Sequence, residues 1–144
     1  QMVNVADKPV SHRVAIAEGQ ISMQAKTLSM IIEENHKKGD VLSVARIAGI
    51  MAAKKTAELV PLCHPVAISG IDIELSTDEK KNIVYCRARV ESIDQTGIEM
   101  EAMTAVQVCL LTVYDMCKSV DRGMTIEGVQ LLEKSGGKSG TWKR

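Results

Sequence analysis

Four charged side chains interrupt the most apolar long segment of the chain, residues 98–118: Glu99, Glu101, Asp115 and Lys118. The spacing of the apolar residues there predicts a buried helix. A charged group in a buried helix is costly unless it is paired or functional, so these side chains are candidates for acid–base chemistry. Asp115 and Lys118 also share a helix face at i,i+3, and an ion pair at the helix end is an equally open interpretation.

The length of this helix limits how its carboxylates can act. Glu101 and Asp115 are separated by roughly 21 Å along a helix, so one subunit cannot place both beside one small ligand. Either they serve different purposes, or two antiparallel copies of the helix bring Glu101 of one chain near Asp115 of the other. A helix that is apolar on most sides also favours burial in an interface. We therefore expect a dimer with sites at the subunit boundary.

The segment 134–144 follows an apolar stretch and combines three glycines, two serines and three lysines. Glycines let backbone N–H groups approach a ligand closely, and lysines add positive charge, a combination that suits a phosphate. The spacing is not that of a Walker A loop, because Leu132 stands where that motif requires its first glycine. The alternative is a flexible, solvated tail.

Pro61 and Pro65 enclose Leu62, Cys63 and His64 and restrict the backbone between them. The imidazole of His64 is therefore held in place, although a lone histidine is more often structural. Adjacent side chains on extended backbone point opposite ways, so Cys63 and His64 do not suit a nucleophile–base pair. A metal site is not predicted, because no second pair of ligands has the required spacing.

Two more cationic positions precede predicted elements. Lys37 and Lys38 come just before Asp40, which is a good N-cap for the helix that follows. A lysine and free backbone N–H groups at a helix N-terminus favour an anion, and a capped, solvated loop is the alternative. Arg13 begins the first predicted strand and carries no signal by itself.

The overall composition limits the class of protein. The 144 residues suit one domain, and a formal net charge of zero provides no global field for nucleic acid or anionic lipid. The chain has no Phe, one Trp and two Tyr, which argues against the stacking used in single-stranded nucleic-acid binding. The four cysteines lack CxxC spacing and are expected to be reduced, buried thiols of a cytoplasmic protein. No signal peptide or membrane-length apolar run is visible.

Hydrophobic periodicity predicts the elements that must position these residues. The pattern has the order β-α-β-β-α-β, with an extra short helix near the N-terminus. This order predicts an α+β, ferredoxin-like fold, in which an antiparallel sheet carries the helices on one face. The predicted strands are 14–23, with a hairpin around Glu18 and Gly19 as the alternative, 71–76, 83–93 and 124–132; the helices are 28–34 with Thr27 as cap, 40–55 and 98–118.

Six segments, in their order and spacing, resemble the cyclic pyranopterin monophosphate synthases, the MoaC family of molybdenum cofactor biosynthesis. Each motif is weak alone, but together they are specific and extend from about Arg13 to Lys143. The segments are HKKGDV at 36–41, ARIAG at 45–49, PLCHP at 61–65, GIEMEAMTA at 97–105, YDMCK at 114–118 and KSGGKSG at 134–140.

The resemblance implies a lyase. Its substrate is (8S)-3′,8-cyclo-7,8-dihydroguanosine 5′-triphosphate, a cyclic dihydro-GTP intermediate. The ring is rebuilt as a pterin, pyrophosphate leaves, and a cyclic phosphate closes to give cyclic pyranopterin monophosphate. No redox cofactor is required, and the presence of Mg²⁺ with the triphosphate is left open. The resemblance also implies one catalytic domain over 1–144, with a substrate-binding tail from about 134. The expected assembly is a homohexamer, a trimer of dimers with active sites at the dimer interface.

The resemblance also carries over functional residues. The catalytic positions are Lys38, Asp115 and Lys118. A desolvated lysine can lose its proton near neutral pH and act as general base or acid, and Asp115 would tune Lys118. Carboxylates suit the N–H edge of a guanine-type ring, which offers donors. The ring-binding positions are Leu62, Cys63, His64, Glu99, Met100 and Glu101, and the triphosphate positions are Arg13, Lys134 and Lys138.

Two other classes of protein remain as alternatives. A nucleotide-binding regulatory module would use the tail and the lysines for binding without chemistry. A purely structural oligomer would use the charged helix positions as interface salt bridges. The fold alone does not choose among these classes.

Overall fold

The computed structural model describes residues 1–33, 40–138 and 140–144. In chain order, these residues form β1 Ser11–Ser22, α1 Ala25–Ile32, α2 Val41–Lys54, α3 Thr56–Leu59, β2 Ile68–Asp78, β3 Ile83–Asp94, α4 Glu99–Cys117, β4 Thr125–Ser135 and β5 Trp142–Lys143.

Within the described residues, all strands belong to one antiparallel sheet with the order β2-β3-β1-β4-β5. β1 lies between β3 and β4, and β2 forms one edge. The long helices α2 and α4 pack on each other, and α4 also packs on β1, β3 and β4. The predicted α+β, ferredoxin-like fold is therefore confirmed.

The core of the described residues consists of aliphatic, alanine, cysteine and methionine side chains, as the absence of Phe requires. α4 crosses β1 closely at Gly19, where a Cβ atom would lie 2.8 Å from Val106 Cγ1. α2 approaches α4 in the same way at Gly49, where a Cβ atom would lie 3.0 Å from the carbonyl oxygen of Ala105. Because interiors packed this tightly resist displacement, the charged ends of α4 are held in fixed positions.

The two predicted helix caps have different outcomes. Asp40 caps α2, since its carboxylate accepts hydrogen bonds from the backbone N–H (3.4 Å) and hydroxyl (2.6 Å) of Ser43. The cap at Thr27 is wrong, because α1 begins at Ala25 and ends at Ile32. The Thr27 hydroxyl instead donates to Asp121 Oδ2 at 3.0 Å, which a local sequence pattern could not show because the two residues are 94 positions apart.

The strands extend further than the sequence predicted: β1 begins at Ser11, β2 spans Ile68–Asp78 and β3 ends at Asp94. β1 continues through Glu18 and Gly19, so the hairpin alternative is wrong. β4 reaches Ser135, and the short strand β5 pairs with it, matching Trp142 with Lys134. Thus part of the 134–144 segment lies in the sheet; the mobility of that segment remains a prediction. No helix in the described ranges combines the length and hydropathy needed to cross a membrane.

Candidate active site

Two adjoining cavities lie beside the N-terminal end of α4. They share Lys8, Thr96, Gly97 and Glu99 as lining residues. We call the first, of about 390 Å³, the Cys63–His64 cavity; its lining also includes Val60, Leu62, Cys63, His64, Met100 and three residues of the N-terminal segment. We call the second, of about 310 Å³, the cationic cavity; its lining also includes Pro9, Arg13, Lys134 and Lys138.

These cavities bring together eight of the twelve predicted site residues. The Cys63–His64 cavity collects the predicted ring-binding positions except Glu101, and the cationic cavity collects all three predicted triphosphate positions. Four cationic side chains line the described part of the cationic cavity, against one carboxylate, Glu99. The arrangement therefore suits a ligand with a polar ring at one end and a polyanion at the other.

Glu101 lies directly behind the Cys63–His64 cavity. Its side chain is only 3% exposed, and its Oε2 atom is 3.8 Å from the Cys63 thiol, which donates to it. Its Oε1 atom has no hydrogen-bond partner among the described residues. Burial raises the pKa of Glu101, and burial together with the Glu101 charge raises the pKa of Cys63. A buried acceptor left without a donor is costly, so Oε1 requires a donor that the described residues do not supply.

Backbone contacts position the segment that carries Cys63 and His64. The N–H of Cys63 donates to the carbonyl of Val60 at 3.1 Å, which forms a turn. The N–H of Ala67 donates to Asp94 Oδ2 at 3.0 Å, which ties the segment to the end of β3. His64 lines the cavity; the fixed orientation of its imidazole remains a prediction.

The Arg13 guanidinium is held at the edge of the cationic cavity by two backbone carbonyls. Its Nε donates to Asp94 at 3.1 Å and its Nη2 to Gln95 at 3.2 Å. Gly136 and Gly137 pass over this part of β1 with φ of +97° and +75°. A Cβ atom would overlap the His12 carbonyl oxygen at Gly136 and the Arg13 guanidinium at Gly137. Glycine is required here because of both its conformation and the close approach.

Glu99 and Lys134 connect the two cavities. Lys134 Nζ lies 3.1 Å from Glu99 Oε1, and both side chains are about one-third exposed. Glu99 lines both cavities, whereas Lys134 lines the cationic one. The carboxylate therefore partly neutralises a lysine of the cationic cavity while it also faces the ring-sized space.

Asp115 and Lys118 lie at the opposite end of α4 and form the predicted i,i+3 ion pair at 2.8 Å. The Lys118 side chain is 54% exposed, and the hydrogen bond and charge of Asp115 raise its pKa. Lys118 is thus not desolvated in a single chain, in contrast to the sequence interpretation. The helix separates this pair from Glu101 by roughly 20 Å. Lys38, the third predicted catalytic residue, lies outside the described residues.

Sequence patterns did not indicate Lys8 or residues 94–96 as part of the site. Asp94 and Gln95 hold Arg13 and the Cys63–His64 segment, while Thr96 and Gly97 line both cavities. The only local signal for the loop between β3 and α4 is Gly97 directly before an acidic helix start. Across residues 1–33, 40–138 and 140–144, no group of three His, Cys, Asp or Glu side chains could hold a metal ion. The role of Mg²⁺ remains a prediction.

Comparison with known proteins identifies the family of this chain. The MoaC family model matches residues 2–137. A cyclic pyranopterin monophosphate synthase from Thermomicrobium roseum is 56% identical over 144 residues, covering 100% of this chain and 87% of the relative. The chain belongs to the MoaC family.

Proposed function

We propose that this protein is a cyclic pyranopterin monophosphate synthase of molybdenum cofactor biosynthesis. Its substrate is (8S)-3′,8-cyclo-7,8-dihydroguanosine 5′-triphosphate, and its products are cyclic pyranopterin monophosphate and pyrophosphate. The reaction is a phosphorus–oxygen lyase reaction that needs proton transfer and phosphate displacement. We propose that the reaction requires no cofactor, and the proposal allows Mg²⁺ to be bound to the triphosphate without requiring it. The substrate derives from GTP, and we place the reaction in the cytoplasm.

One observation supports this proposal most directly: a ring-sized cavity adjoins a cavity to which the described residues contribute four cations. A guanine-derived ring offers N–H donors, and the carboxylates of Glu99 and Glu101 are acceptors. Glu101 has an oxygen without a partner among the described residues, so a substrate donor would satisfy it. Cys63 and His64 then complete the wall around the ring, with Leu62 and Met100 as apolar contacts.

The cationic cavity supports the triphosphate part of the assignment. Arg13 is fixed by the carbonyls of Asp94 and Gln95, so it presents its remaining donors without reorganisation. Lys134 and Lys138 line the same cavity. As the phosphate bond breaks, negative charge grows on the departing pyrophosphate, and preorganised cations stabilise that charge in the transition state.

We further propose that the catalytic lysines reach the ring from a second subunit. Asp115 and Lys118 lie too far along α4 to meet Glu101 within one chain. Val44, Ile47 and Met51 form an exposed apolar stripe on α2, and Leu111 is exposed on α4. Exposed apolar stripes are typical of protein interfaces. The proposed assembly is a trimer of dimers with the active sites at the dimer interface, where Lys38, Asp115 and Lys118 perform the proton transfers.

Turnover of the cyclic dihydro-GTP intermediate tests the function. The protein is incubated with this compound, and pyrophosphate and the fluorescent oxidised pterin are measured. We expect both products from the parent protein and neither from Lys38→Ala or Lys118→Ala. Lys80→Ala is the matched control, since Lys80 is exposed in the turn between β2 and β3. Tight binding of the intermediate without product would instead indicate a regulatory nucleotide-binding module.

A further inference from the structure

Lys8 holds a position that no sequence motif indicated. Resting on the proposed function, we propose that Lys8 binds the α-phosphate of the substrate and stabilises it as pyrophosphate leaves. The α-phosphate joins the sugar-derived part of the substrate to the two phosphates that depart. It is also the phosphate that the product retains.

The position of Lys8 between the cavities carries the assignment. The cationic cavity, but not the Cys63–His64 cavity, is lined by Arg13, Lys134 and Lys138. Among the described lysines and arginines, Lys8 is the one that lines both cavities. When the ring occupies the Cys63–His64 cavity and the terminal phosphates occupy the cationic cavity, the α-phosphate must lie at their junction, because it connects the two parts of the ligand. Among the described cations, Lys8 is therefore the one placed at that junction.

Contacts of the N-terminal segment hold Lys8 at this junction. The N–H of Lys8 donates to the carbonyl of Val5 at 3.0 Å, which closes a turn. The side-chain amide of Gln95 donates to the carbonyl of Ala6 at 3.1 Å, and the Gln95 carbonyl accepts from Arg13. One residue thus positions both cations relative to each other. Pro9 restricts the backbone between them.

The chemistry at the α-phosphate gives Lys8 a distinct kinetic effect. A substrate hydroxyl oxygen forms a bond to the α-phosphorus, and the bond from that phosphorus to the bridging oxygen breaks. The bonding electron pair leaves with pyrophosphate, and the hydroxyl proton passes to a base. Charge on the oxygens around the α-phosphorus is redistributed in the transition state, so a cation there contributes more to that state than to substrate binding.

Steady-state kinetics with Lys8→Ala tests this assignment. We expect kcat for pyrophosphate release to fall by about 100-fold, with KM for the cyclic intermediate changed by less than about threefold. Lys8→Arg should recover part of the loss, because it restores the charge. Lys80→Ala should match the parent protein. Folding should be unaffected, because Lys8 is exposed.

The outcomes separate this inference from the proposed function. If the parent protein turns over and Lys8→Ala has an unchanged kcat, or shows only a raised KM, the assignment of Lys8 is wrong. A second readout uses GTP as a probe and needs no turnover. The ³¹P resonance of the α-phosphorus of bound GTP should shift between the parent protein and Lys8→Ala, while the β and γ resonances stay. If the α resonance differs between the two proteins but the parent protein releases no pyrophosphate, the proposed function is wrong and the assignment of Lys8 to the α-phosphate is still supported.

Discussion

Lys134 Nζ lies 3.1 Å from Glu99 Oε1, so the carboxylate that faces both cavities neutralises a lysine of the cationic cavity. A phosphate that binds Lys134 competes with this carboxylate for the charge of the ammonium group. Glu99 then becomes available to the ring in the adjoining cavity. The ion pair therefore couples occupation of the phosphate end to preparation of the ring end.

Glu99→Gln should separate these two roles. Removing the charge frees Lys134, so affinity for inorganic pyrophosphate should rise by roughly two- to fivefold, the range expected for a partly exposed ion pair. Turnover should nevertheless fall, because the ring loses an acceptor. Isothermal titration calorimetry and the turnover assay measure the two effects. Glu133→Gln is the control, since Glu133 lies beside Lys134 on β4 and forms a different ion pair, with Lys143 at 3.5 Å. Weaker binding of pyrophosphate to Glu99→Gln would contradict the coupling.

Gly137→Ala should impair phosphate binding through Arg13. The added methyl group would overlap the Arg13 guanidinium and displace it from the carbonyls that hold it. Loss of one charged hydrogen-bonding group corresponds to about a tenfold or greater fall in pyrophosphate affinity. Gly128→Ala is the matched control, because Gly128 also has a positive φ of +66° but no atom within 4 Å of the new Cβ. Equal affinities in the two variants would contradict the role of Arg13.

Glu101→Gln should stabilise the protein at alkaline pH. Burial raises the pKa of Glu101 above its ordinary value of 4.5, so the native state holds this proton more tightly than the unfolded state. Protonated Glu101 contributes fully to the free energy of unfolding at pH values below its pKa in the unfolded state. This contribution is lost as the pH rises through its pKa in the native state. Gln cannot ionise, so the gain in Tm should be larger at pH 8 than at pH 5. Differential scanning calorimetry measures Tm at the two pH values. Glu79→Gln is the control, because Glu79 lies in the exposed turn between β2 and β3. A gain in Tm that does not depend on pH would contradict the prediction.

Mixed oligomers should test whether two subunits share each active site. Glu101→Ala and Lys118→Ala proteins are each expected to be inactive. After unfolding and refolding together in equal amounts, mixed dimers would contain one site with both residues intact. About one-quarter of the parent activity should then return, because half of the dimers are mixed and each has one intact site of two. No recovery, in mixtures whose exchange is verified by mass spectrometry, would place the whole site within one chain.

Local patterns in the sequence determined much of this protein. Alternation and helical spacing predicted the βαββαβ order. Asp40 was predicted as a cap because it directly precedes the helical pattern, and its observed bond to Ser43 spans only three residues. The charged positions of α4 were found because they interrupt an apolar pattern. The motif set indicated the family, which the comparisons confirmed. Local interactions repeat with a short period, so a single sequence displays them directly.

Tertiary structure decided which of these residues meet. Cys63 reaches Glu101 across 38 positions, and Arg13 reaches the carbonyl of Gln95 across 82. The same packing separated Asp115 and Lys118 from the two cavities and brought Lys8 to their junction. No local period encodes such contacts. They follow from the sheet order, from the close crossing of α4 over Gly19, and from two glycines that let the chain pass over Arg13.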